Sequence, residues 1–252
     1  MRKITVSMDK SDSVAILSDI HGNLPALTAV LEDIGKLGIK ECVCLGDIVG
    51  YGAQPTECIE LLQSRNFCAI LRGNHDAYAA TDEEPQNVSA ETLNVTHWTR
   101  SMLTPEQRVW LGALTLTWQG RDYEAVHASL HQPEQWGYVL EPAAAAQHFA
   151  HQSKPLCFIG HSHQPKMFVE GEDRALDITS LESVRPDRKQ VVNVGSVGQP
   201  RDKDQRACYV VYRRAEKDVW WRRIPYDIAA AQNAILDAGL PGKHAHRLSL
   251  GK

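Results

Sequence analysis

Short apolar runs alternate with amphipathic segments along the first part of the chain. Residues 14–17, 42–45 and 67–71 are apolar runs typical of strands that are buried on both faces. Between them, Asn23 can cap a helix with an apolar stripe, and residues 55–63 have a second helical pattern. This β-α-β-α-β order predicts parallel strands joined by right-handed crossovers.

The second half of the chain has a different pattern, in which short segments alternate between apolar and polar residues. Such segments favour a more antiparallel sheet, and they cover residues 123–127, 166–170, 174–178, 191–194, 208–213 and 219–224. Helical patterns cover residues 87–112, with a new start at 104–106, and then 143–146 and 227–238. Together the segments predict an α/β (α+β) fold with two mixed sheets packed face to face and helices outside, in one domain that spans residues 1–252.

The composition supports one domain with a substantial core, since 43% of the residues are hydrophobic and 23% are charged. A net charge of −4 argues against an extended nucleic-acid surface, but not against a small phosphorylated substrate whose charge bound cations would neutralise. No apolar run approaches the roughly 20 residues that cross a bilayer, and the N-terminus lacks the apolar centre of a secretory signal. We therefore expect a cytoplasmic protein without a membrane partner.

Six cysteines lie mostly within apolar stretches. This placement favours buried free thiols in a reducing compartment over disulfides. None has the paired spacing of a structural zinc site. The cysteines are Cys42, Cys44, Cys58, Cys68, Cys157 and Cys208.

Residues that commonly bind metals follow each of the three predicted N-terminal strands. In chain order they are Asp19 and His21, then Asp47, and finally Asn74, His75 and Asp76. Residues i and i+2 of an extended backbone point the same way, so Asp19 and His21 can reach one ion, and the two oxygens of Asp47 could bridge two ions. Each motif alone could be a turn or a helix cap, but the same edge of a parallel sheet receives all three. This repetition indicates a metal site.

Two further histidine motifs follow strand-like segments of the second half. His127 stands alone, whereas His161 and His163 are separated by one serine and can serve two adjacent ions. The mixture of carboxylate, imidazole and amide groups suits Mn, Fe, Ni or Zn rather than a thiolate site. Six histidines match no ligand position, and of these His148 and His151 indicate an ordinary helix surface. They are His97, His131, His148, His151, His244 and His246.

In this order, the motifs D-x-H, G-D, G-N-H-D, H and G-H-x-H resemble those of the calcineurin-like metallophosphoesterase superfamily. Residues 195–202, 207–209 and 225–227 are similar to its bacterial phosphodiesterase-like branch. The resemblance implies a four-layer α-β-β-α sandwich and a metal-dependent phosphoric ester hydrolase, more specifically a phosphodiesterase. It also implies two divalent metal ions, the first bound by Asp19, His21 and His163 and the second by Asn74, His127 and His161, with Asp47 as the bridge.

One departure from the motifs of this superfamily follows His127. The superfamily usually has His-Gly-Ser-Pro, where this chain has His127-Ala128-Ser129-Leu130. The candidate ligand is intact, but the backbone of the loop that follows is expected to differ. The departure therefore bears on substrate preference.

The expected reaction is in-line attack on phosphorus by a hydroxide that bridges the two metals. His75 would protonate the departing oxygen, while Asp76 would orient His75. The partner is expected to be a small phosphorylated substrate, with nucleotides among the candidates and with both diesters and monoesters open. Arg201 could contact its phosphate or form a salt bridge that stabilises a turn.

Two other functions compete with this interpretation. Arg72 resembles a residue of phosphoprotein (Ser/Thr) phosphatases, but Asp76 stands where those enzymes usually have Glu, and their arginine-containing motif after Asp47 is absent. A non-catalytic scaffold with the same fold is disfavoured, because every ligand position is filled.

Overall fold

The computed structural model describes residues 12–176 and 180–252. The first residues of the chain and the end of the segment predicted over 174–178 lie outside the described residues. The strands are β1 (Ser13–Leu17), β2 (Glu41–Cys44), β3 (Ala69–Ile70), β4 (Thr117–Gln119), β5 (Tyr123–Val126), β6 (Leu156–Ile159), β7 (Lys166–Val169), β8 (Leu181–Ser183), β9 (Gln190–Asn193), β10 (Ala207–Arg213) and β11 (Asp218–Ile224). The helices are α1 (Leu24–Leu37), α2 (Pro55–Gln63), α3 (Asn74–Ala80), α4 (Ala90–Met102), α5 (Pro105–Ala113), α6 (Pro142–His151), α7 (Ile228–Asp237) and α8 (Gly242–Leu248).

The strands form two sheets. The first has the order β3-β2-β1-β10-β11-β8, and the second has the order β4-β5-β6-β9-β7. β1 pairs in parallel with β2, and β2 with β3, as the β-α-β-α-β pattern predicts. Short parallel strands of this kind place the loops that follow them at one edge of the sheet.

The two sheets share one core, and helices cover their outer faces. Alternate residues of β1 point to opposite sides of the first sheet. Ile16 therefore belongs to the core that contains Phe158 of the second sheet, whereas Leu17 belongs to the core that contains Leu27 of α1. Phe149 of α6 packs in a third core on the other face of the second sheet. The layers are thus α-β-β-α, as predicted.

Most strand pairs of the second half are antiparallel, but its central strands are parallel. β7 pairs with β9, and β10 with β11, in antiparallel fashion, but β5, β6 and β9 run parallel. Every residue of these three parallel strands is buried, so both faces are covered and no alternation marks their direction. β10 also joins the first sheet, where it pairs antiparallel with β1. The second half is thus more antiparallel than the first, and the second sheet is mixed, both as predicted.

Helix boundaries follow local capping signals. Oδ1 of Asn23 accepts the N–H of Ala26 at 3.1 Å and caps α1, and Oγ1 of Thr104 accepts the N–H of Gln107 at 3.2 Å and caps α5. Helix α8 is not predicted, because its 7 residues contain too few apolar positions to show a helical period. Within the described ranges, no helix is long and apolar enough to cross a membrane.

The six cysteines are free thiols, as predicted. All of them are buried except Cys68, which is exposed and corrects the prediction at that position. Burial raises the pKa of the Cys42 thiol to about 11. A thiol with such a pKa stays protonated and unreactive at neutral pH.

A partly buried ion pair joins helix α1 to the first sheet. Arg222 of β11 donates two hydrogen bonds to the carboxylate of Asp33 in α1, at 2.6 and 2.8 Å. The hydroxyl of Tyr209 in β10 donates a third at 2.5 Å. Burial opposes ionisation of Asp33, but these hydrogen bonds outweigh it and hold the pKa of the carboxyl below its ordinary value of 3.8.

We expect Asp33→Asn to lower the free energy of unfolding at neutral pH by about 1–3 kcal/mol, because hydrogen bonds to a charged group are lost. The carboxylate stabilises the fold above the pKa that it has in the unfolded chain, and this contribution disappears as the pH falls through its lower pKa in the folded state. Urea denaturation at neutral pH and near pH 3 measures both effects. The control is Glu32→Gln on the same helix, since Glu32 pairs with Lys36 at the surface. Equal losses in the two variants would contradict the prediction.

Candidate metal centre

Backbone hydrogen bonds join the loops that follow β1 and β2. The N–H of Asp19 donates to the carbonyl of Gly46 at 3.0 Å, and the N–H of His21 donates to the carbonyl of Asp47 at 2.9 Å. These bonds bring two carboxylates and one imidazole together at the carboxyl ends of the strands. Asp19, His21 and Asp47 are almost completely buried there.

The backbone of the first loop is left-handed rather than extended. The angle φ is 56° at Asp19 and 50° at His21, so a tight turn brings the two side chains together, and not the alternation of a strand that we expected. Three more candidate ligands have φ between 51° and 66°, and these are Asp47, His161 and His163. Each such residue costs roughly 1–3 kcal/mol and persists only where the surrounding structure fixes it. Strain that is concentrated in this way is typical of a functional site.

Two glycines allow the loops to approach one another. A Cβ atom at Gly160 would lie 2.5 Å from Oδ2 of Asp19, and a Cβ atom at Gly73 would collide with the carboxylate of Asp47. Because that space is free, the N–H of His161 lies 3.2 and 3.1 Å from the two carboxylate oxygens of Asp19. The glycine that precedes His161 in its motif is therefore required for packing around a carboxylate.

Carboxylate and imidazole atoms form two groups, and within each group the atoms lie within 4.8 Å of one another. One group contains Asp19, His21, Asp47 and His163, and the other contains Asp47, His127 and His161. Oδ2 of Asp47 lies 3.6 Å from Nε2 of His21 and 3.5 Å from Nε2 of His127. Each group could hold one cation, with the carboxylate of Asp47 shared between them.

Backbone carbonyls orient three of the imidazoles. The Nδ1 atoms of His21, His127 and His163 lie 3.0, 3.0 and 2.6 Å from the carbonyl oxygens of Val49, Leu45 and Gln199, respectively. A carbonyl can only accept, so Nδ1 carries a proton in all three rings, and Nε2 is the atom that faces the group and can bind a metal when it is unprotonated. The Nε2 atoms of His21 and His163 are 3.1 Å apart. Two lone pairs at this distance repel each other unless a cation or a proton lies between them.

Three buried polar atoms of the candidate ligands have no hydrogen-bond partner among the described residues. They are Oδ1 of Asn74, Nε2 of His127 and Nε2 of His161. A buried polar atom without a partner costs roughly 1–3 kcal/mol, so three at one site indicate a partner of another kind. Carboxylate, imidazole and amide oxygen together are ligands of borderline and hard divalent cations. The donor set therefore fits divalent metal ions.

An ionised carboxylate and three neutral imidazoles at the site can bind a cation. Burial opposes ionisation of Asp47, but the neighbouring His127 holds the pKa of this carboxyl well below its ordinary value. Burial also opposes protonation of His127, yet the charge of Asp47 raises the pKa of this imidazole to about 9. Burial raises the pKa of Asp19 to about 7. It lowers the pKa of three other imidazoles, which are therefore neutral and able to bind a metal: to about 3 for His161 and well below the ordinary value for His21 and His163.

His75 lies beside these groups. Its backbone N–H donates to Oδ1 of Asp47 at 2.9 Å. The centre of its ring is 4.5 Å from that of Tyr51 and 5.0 Å from that of His21. Burial lowers the pKa of the His75 imidazole. The ring is thus placed next to the candidate ligands without belonging to either group.

Asp76 has a different position from the one that we expected. Its carboxylate accepts the N–H groups of Ile48 at 2.8 Å and of Gly73 at 2.9 Å, and burial raises its pKa to about 7. No hydrogen bond joins it to the ring of His75 in the described part of the chain. The expected orientation of His75 by Asp76 is therefore not observed, and Asp76 instead fixes the loop that carries Asp47.

A cavity of about 560 Å³ opens beside the two groups. Its lining includes Asp47, His75, His161 and His163. Four aromatic side chains also line it, and these are Tyr51, Tyr78, Trp136 and Tyr138. These aromatic residues share no sequence motif, and only the fold brings them together.

Arg201 supplies a positive charge to the lining of this cavity. Its Nη2 donates to Oε1 of Gln199 at 2.8 Å, and its guanidinium carbon lies 5.8 Å from the centre of the Tyr51 ring. Within the described residues no carboxylate pairs with it, and its buried Nε has no hydrogen-bond partner. A turn-stabilising salt bridge, one of the two roles expected for Arg201, is therefore not formed.

The chain is similar to proteins of one family over most of its length. A family model described as the calcineurin-like phosphoesterase superfamily domain matches residues 13–217. An uncharacterized protein of Methanocaldococcus jannaschii is 37% identical over 244 residues, which cover 95% of this chain and 98% of that protein.

Solved structures agree with this match. A metallophosphoesterase from Sphaerobacter thermophilus has a TM-score of 0.85 and 34% identity, over 96% of this chain and 100% of that chain. A hypothetical protein from Pyrococcus horikoshii has a TM-score of 0.78 over 95% of this chain and 98% of that chain, and at 22% identity it shows the shared fold alone. The protein therefore belongs to the calcineurin-like phosphoesterase superfamily and is a metal-dependent phosphoric ester hydrolase.

Proposed function

We propose that the protein is a phosphodiesterase that works with two divalent metal ions, which could be Mn, Fe, Ni or Zn. The proposed ligands are Asp19, His21 and His163 for the first ion and Asn74, His127 and His161 for the second, with Asp47 between the two. The observation that carries this proposal is the membership of Asp47 in both groups of converging atoms. The three buried atoms without a hydrogen-bond partner support it, because all of them are atoms of the proposed ligands of the second ion.

The chain holds its side chains in place before any substrate binds. When bound, two divalent ions polarise a water molecule and neutralise charge on the phosphoryl oxygens. Asp76 fixes the loop of Asp47 through backbone hydrogen bonds, so the shared carboxylate is held in one orientation. Carbonyl groups hold three imidazole rings in the same way. Such preorganised positioning and charge supply most of the catalysis in this class of reaction.

We assign proton donation to the departing oxygen to His75. Its ring lines the cavity, and no hydrogen bond of this ring to another described residue competes with a substrate. Gly50 provides the room for the ring, since a Cβ atom there would lie 2.6 Å from Nδ1 of His75. A neutral imidazole keeps one N–H that can be given to the leaving group.

The cavity supports a small diester rather than a phosphoprotein as the substrate. Its volume of about 560 Å³ lies within the roughly 300–1,000 Å³ of sites for small molecules, and it leaves space for a second ester group beside the phosphate. Arg72, which resembles a residue of phosphoprotein phosphatases, donates to the carbonyl of Gly112 at 2.7 Å and lines a neighbouring cleft. The arginine is therefore directed away from the candidate metal centre.

The His161→Ala variant is expected to bind one divalent ion tightly where the unmodified protein binds two, because Nε2 of His161 is lost from the second group. This side chain makes no hydrogen bond to another described residue, so its removal leaves no buried partner unpaired. Elemental analysis after reconstitution with Mn²⁺ measures the stoichiometry. The rate of bis-p-nitrophenyl phosphate hydrolysis should fall as the second ion is lost.

The control for this experiment is His97→Ala, since His97 is an exposed residue that pairs with Glu84. That variant should keep both ions and full activity. Tight binding of two ions by His161→Ala would contradict the ligand assignment.

The His75→Ala variant is expected to lower kcat by about 10²–10⁴ while both ions stay bound, because a general acid is lost. The loss should be larger for a dinucleotide, whose alkoxide leaving group needs a proton, than for bis-p-nitrophenyl phosphate, whose phenolate does not. Steady-state kinetics with the two substrates and metal analysis of the same samples test this. An equal decrease in kcat for both substrates would show that His75 does not donate the proton.

A further inference from the structure

Aromatic side chains stand around the candidate metal centre in a way that metal binding does not require. The ring of Tyr138 stacks on that of His161, with centroids 4.1 Å apart and planes inclined by 21°. The ring of Trp136 meets that of His127 edge-on at 5.9 Å. Tyr138 nevertheless keeps 52% of its surface exposed while it lines the cavity. An exposed aromatic ring at such a place indicates a binding surface.

A buried histidine anchors the loop that carries these two rings. The N–H of Leu130 donates to Nδ1 of His148 in α6 at 3.2 Å. His148 is completely buried, which corrects the prediction that it lies on an ordinary helix surface. Burial lowers the pKa of this imidazole to about 4, so at neutral pH the ring is uncharged and Nδ1 can accept.

This anchor depends on the position at which the chain departs from the usual motif. The superfamily usually has proline where this chain has Leu130, and proline has no N–H to donate. With leucine in this place, the backbone can bond to His148 before the loop turns back to the cavity. The turn passes through Gln132 and Trp136, whose φ angles of 51° and 54° are left-handed. The departure in the motif thus helps to fix the loop that carries the two aromatic rings.

We propose that Tyr138, together with Trp136 and Tyr78, binds the planar base of a nucleotide, and that the substrate is a nucleotide diester. This inference rests on the proposed function, which places the phosphate at the metal groups. Aromatic rings stack on any base, because every base has a π-face. Exposed amide side chains line the same cavity and offer donors and acceptors to the edge of a base, and these are Gln86, Asn87 and Gln135.

Arg201 supplies the contact for the phosphate end of such a ligand. Its guanidinium is held by Gln199 and has no carboxylate partner among the described residues. A fixed guanidinium matches the oxygens of a phosphate in charge and in geometry. The cavity therefore has a charged contact for the phosphate and aromatic contacts for the base.

The base site is tested with AMP and ribose 5-phosphate, which carry the same phosphate and sugar and differ by the base. Both compounds are measured as inhibitors of bis-p-nitrophenyl phosphate hydrolysis by the Mn²⁺-loaded protein, and their binding is measured directly by calorimetry. We expect the inhibition constant of AMP to be about 5- to 150-fold lower, which is the factor that stacking of one base supplies.

Variants of the two ends of the site separate stacking from charge. We define the AMP ratio as the inhibition constant of ribose 5-phosphate divided by that of AMP. Tyr138→Ala should lower this ratio at least about 5-fold and leave the constant for ribose 5-phosphate unchanged. Tyr138→Phe keeps the ring and should keep the ratio. Arg201→Gln should raise the inhibition constants of both compounds by the same factor, because both carry the phosphate that Arg201 contacts.

The role of His148 as a positioning residue is tested by Leu130→Pro, which removes the N–H that its ring accepts. This variant should lower the AMP ratio without changing the metal stoichiometry or the constant for ribose 5-phosphate. An unchanged AMP ratio would show that His148 does not position the loop.

Equal constants for AMP and ribose 5-phosphate in the unmodified protein, or an unchanged ratio in Tyr138→Ala, would overturn the base site. If Mn²⁺-dependent hydrolysis persists in that case, the metal centre stands and the base site alone is wrong. A protein that neither binds Mn²⁺ nor hydrolyses the diester would overturn the proposed function and the base site with it.

Discussion

The carboxylate of Asp47 is buried between imidazoles, and a buried charge of this kind must be balanced by nearby positive charge or hydrogen-bond donors. Its Oδ1 accepts the backbone N–H of His75 at 2.9 Å, and its Oδ2 faces Nε2 atoms of His21 and His127. No lysine or arginine forms an ion pair with it in the described ranges. Its charge is therefore balanced by protons on imidazoles or by cations. The two divalent ions that we propose, one in each group, would meet this need and would also give partners to the lone pairs that face them.

The architecture makes this arrangement possible because both sheets deliver loops to the same place. The loops after β1 and β2 carry Asp19 and Asp47, whereas the loops after β5 and β6 carry His127 and His161. The N–H of Gly160 donates to the carbonyl of His127 at 2.8 Å and so joins the two loops of the second sheet. The left-handed backbone at five candidate ligands is unfavourable by itself. Backbone hydrogen bonds between the loops, and the buried cores behind them, offset this cost.

A large part of this arrangement can be predicted from the sequence, because its signals are local. The apolar run of β1, the cap at Asn23 and the polar residues after each strand lie within a few positions of one another. They predict the parallel strands and the edge at which candidate ligands gather. The order of the motifs then indicates the family and, through it, the four layers.

Other parts of the structure depend on contacts that no local pattern contains. The carboxylate of Asp76 bonds to the backbone of Ile48, 28 positions earlier, and not to the adjacent His75. The parallel direction of β5, β6 and β9 is set by burial on both faces. The rings of Tyr78 and Tyr138 meet at one cavity only because α3 and the loop after β5 are folded together. Substrate recognition, in particular, cannot be predicted from motifs that describe the metal ligands.

Anomalous diffraction at the manganese absorption edge, from crystals grown with Mn²⁺, shows whether Asp47 lies between two metal ions. We predict two peaks, one on each side of the Asp47 carboxylate. The first should lie among Asp19, His21 and His163, and the second among Asn74, His127 and His161. A single peak, or peaks that Asp47 does not contact, would contradict the account.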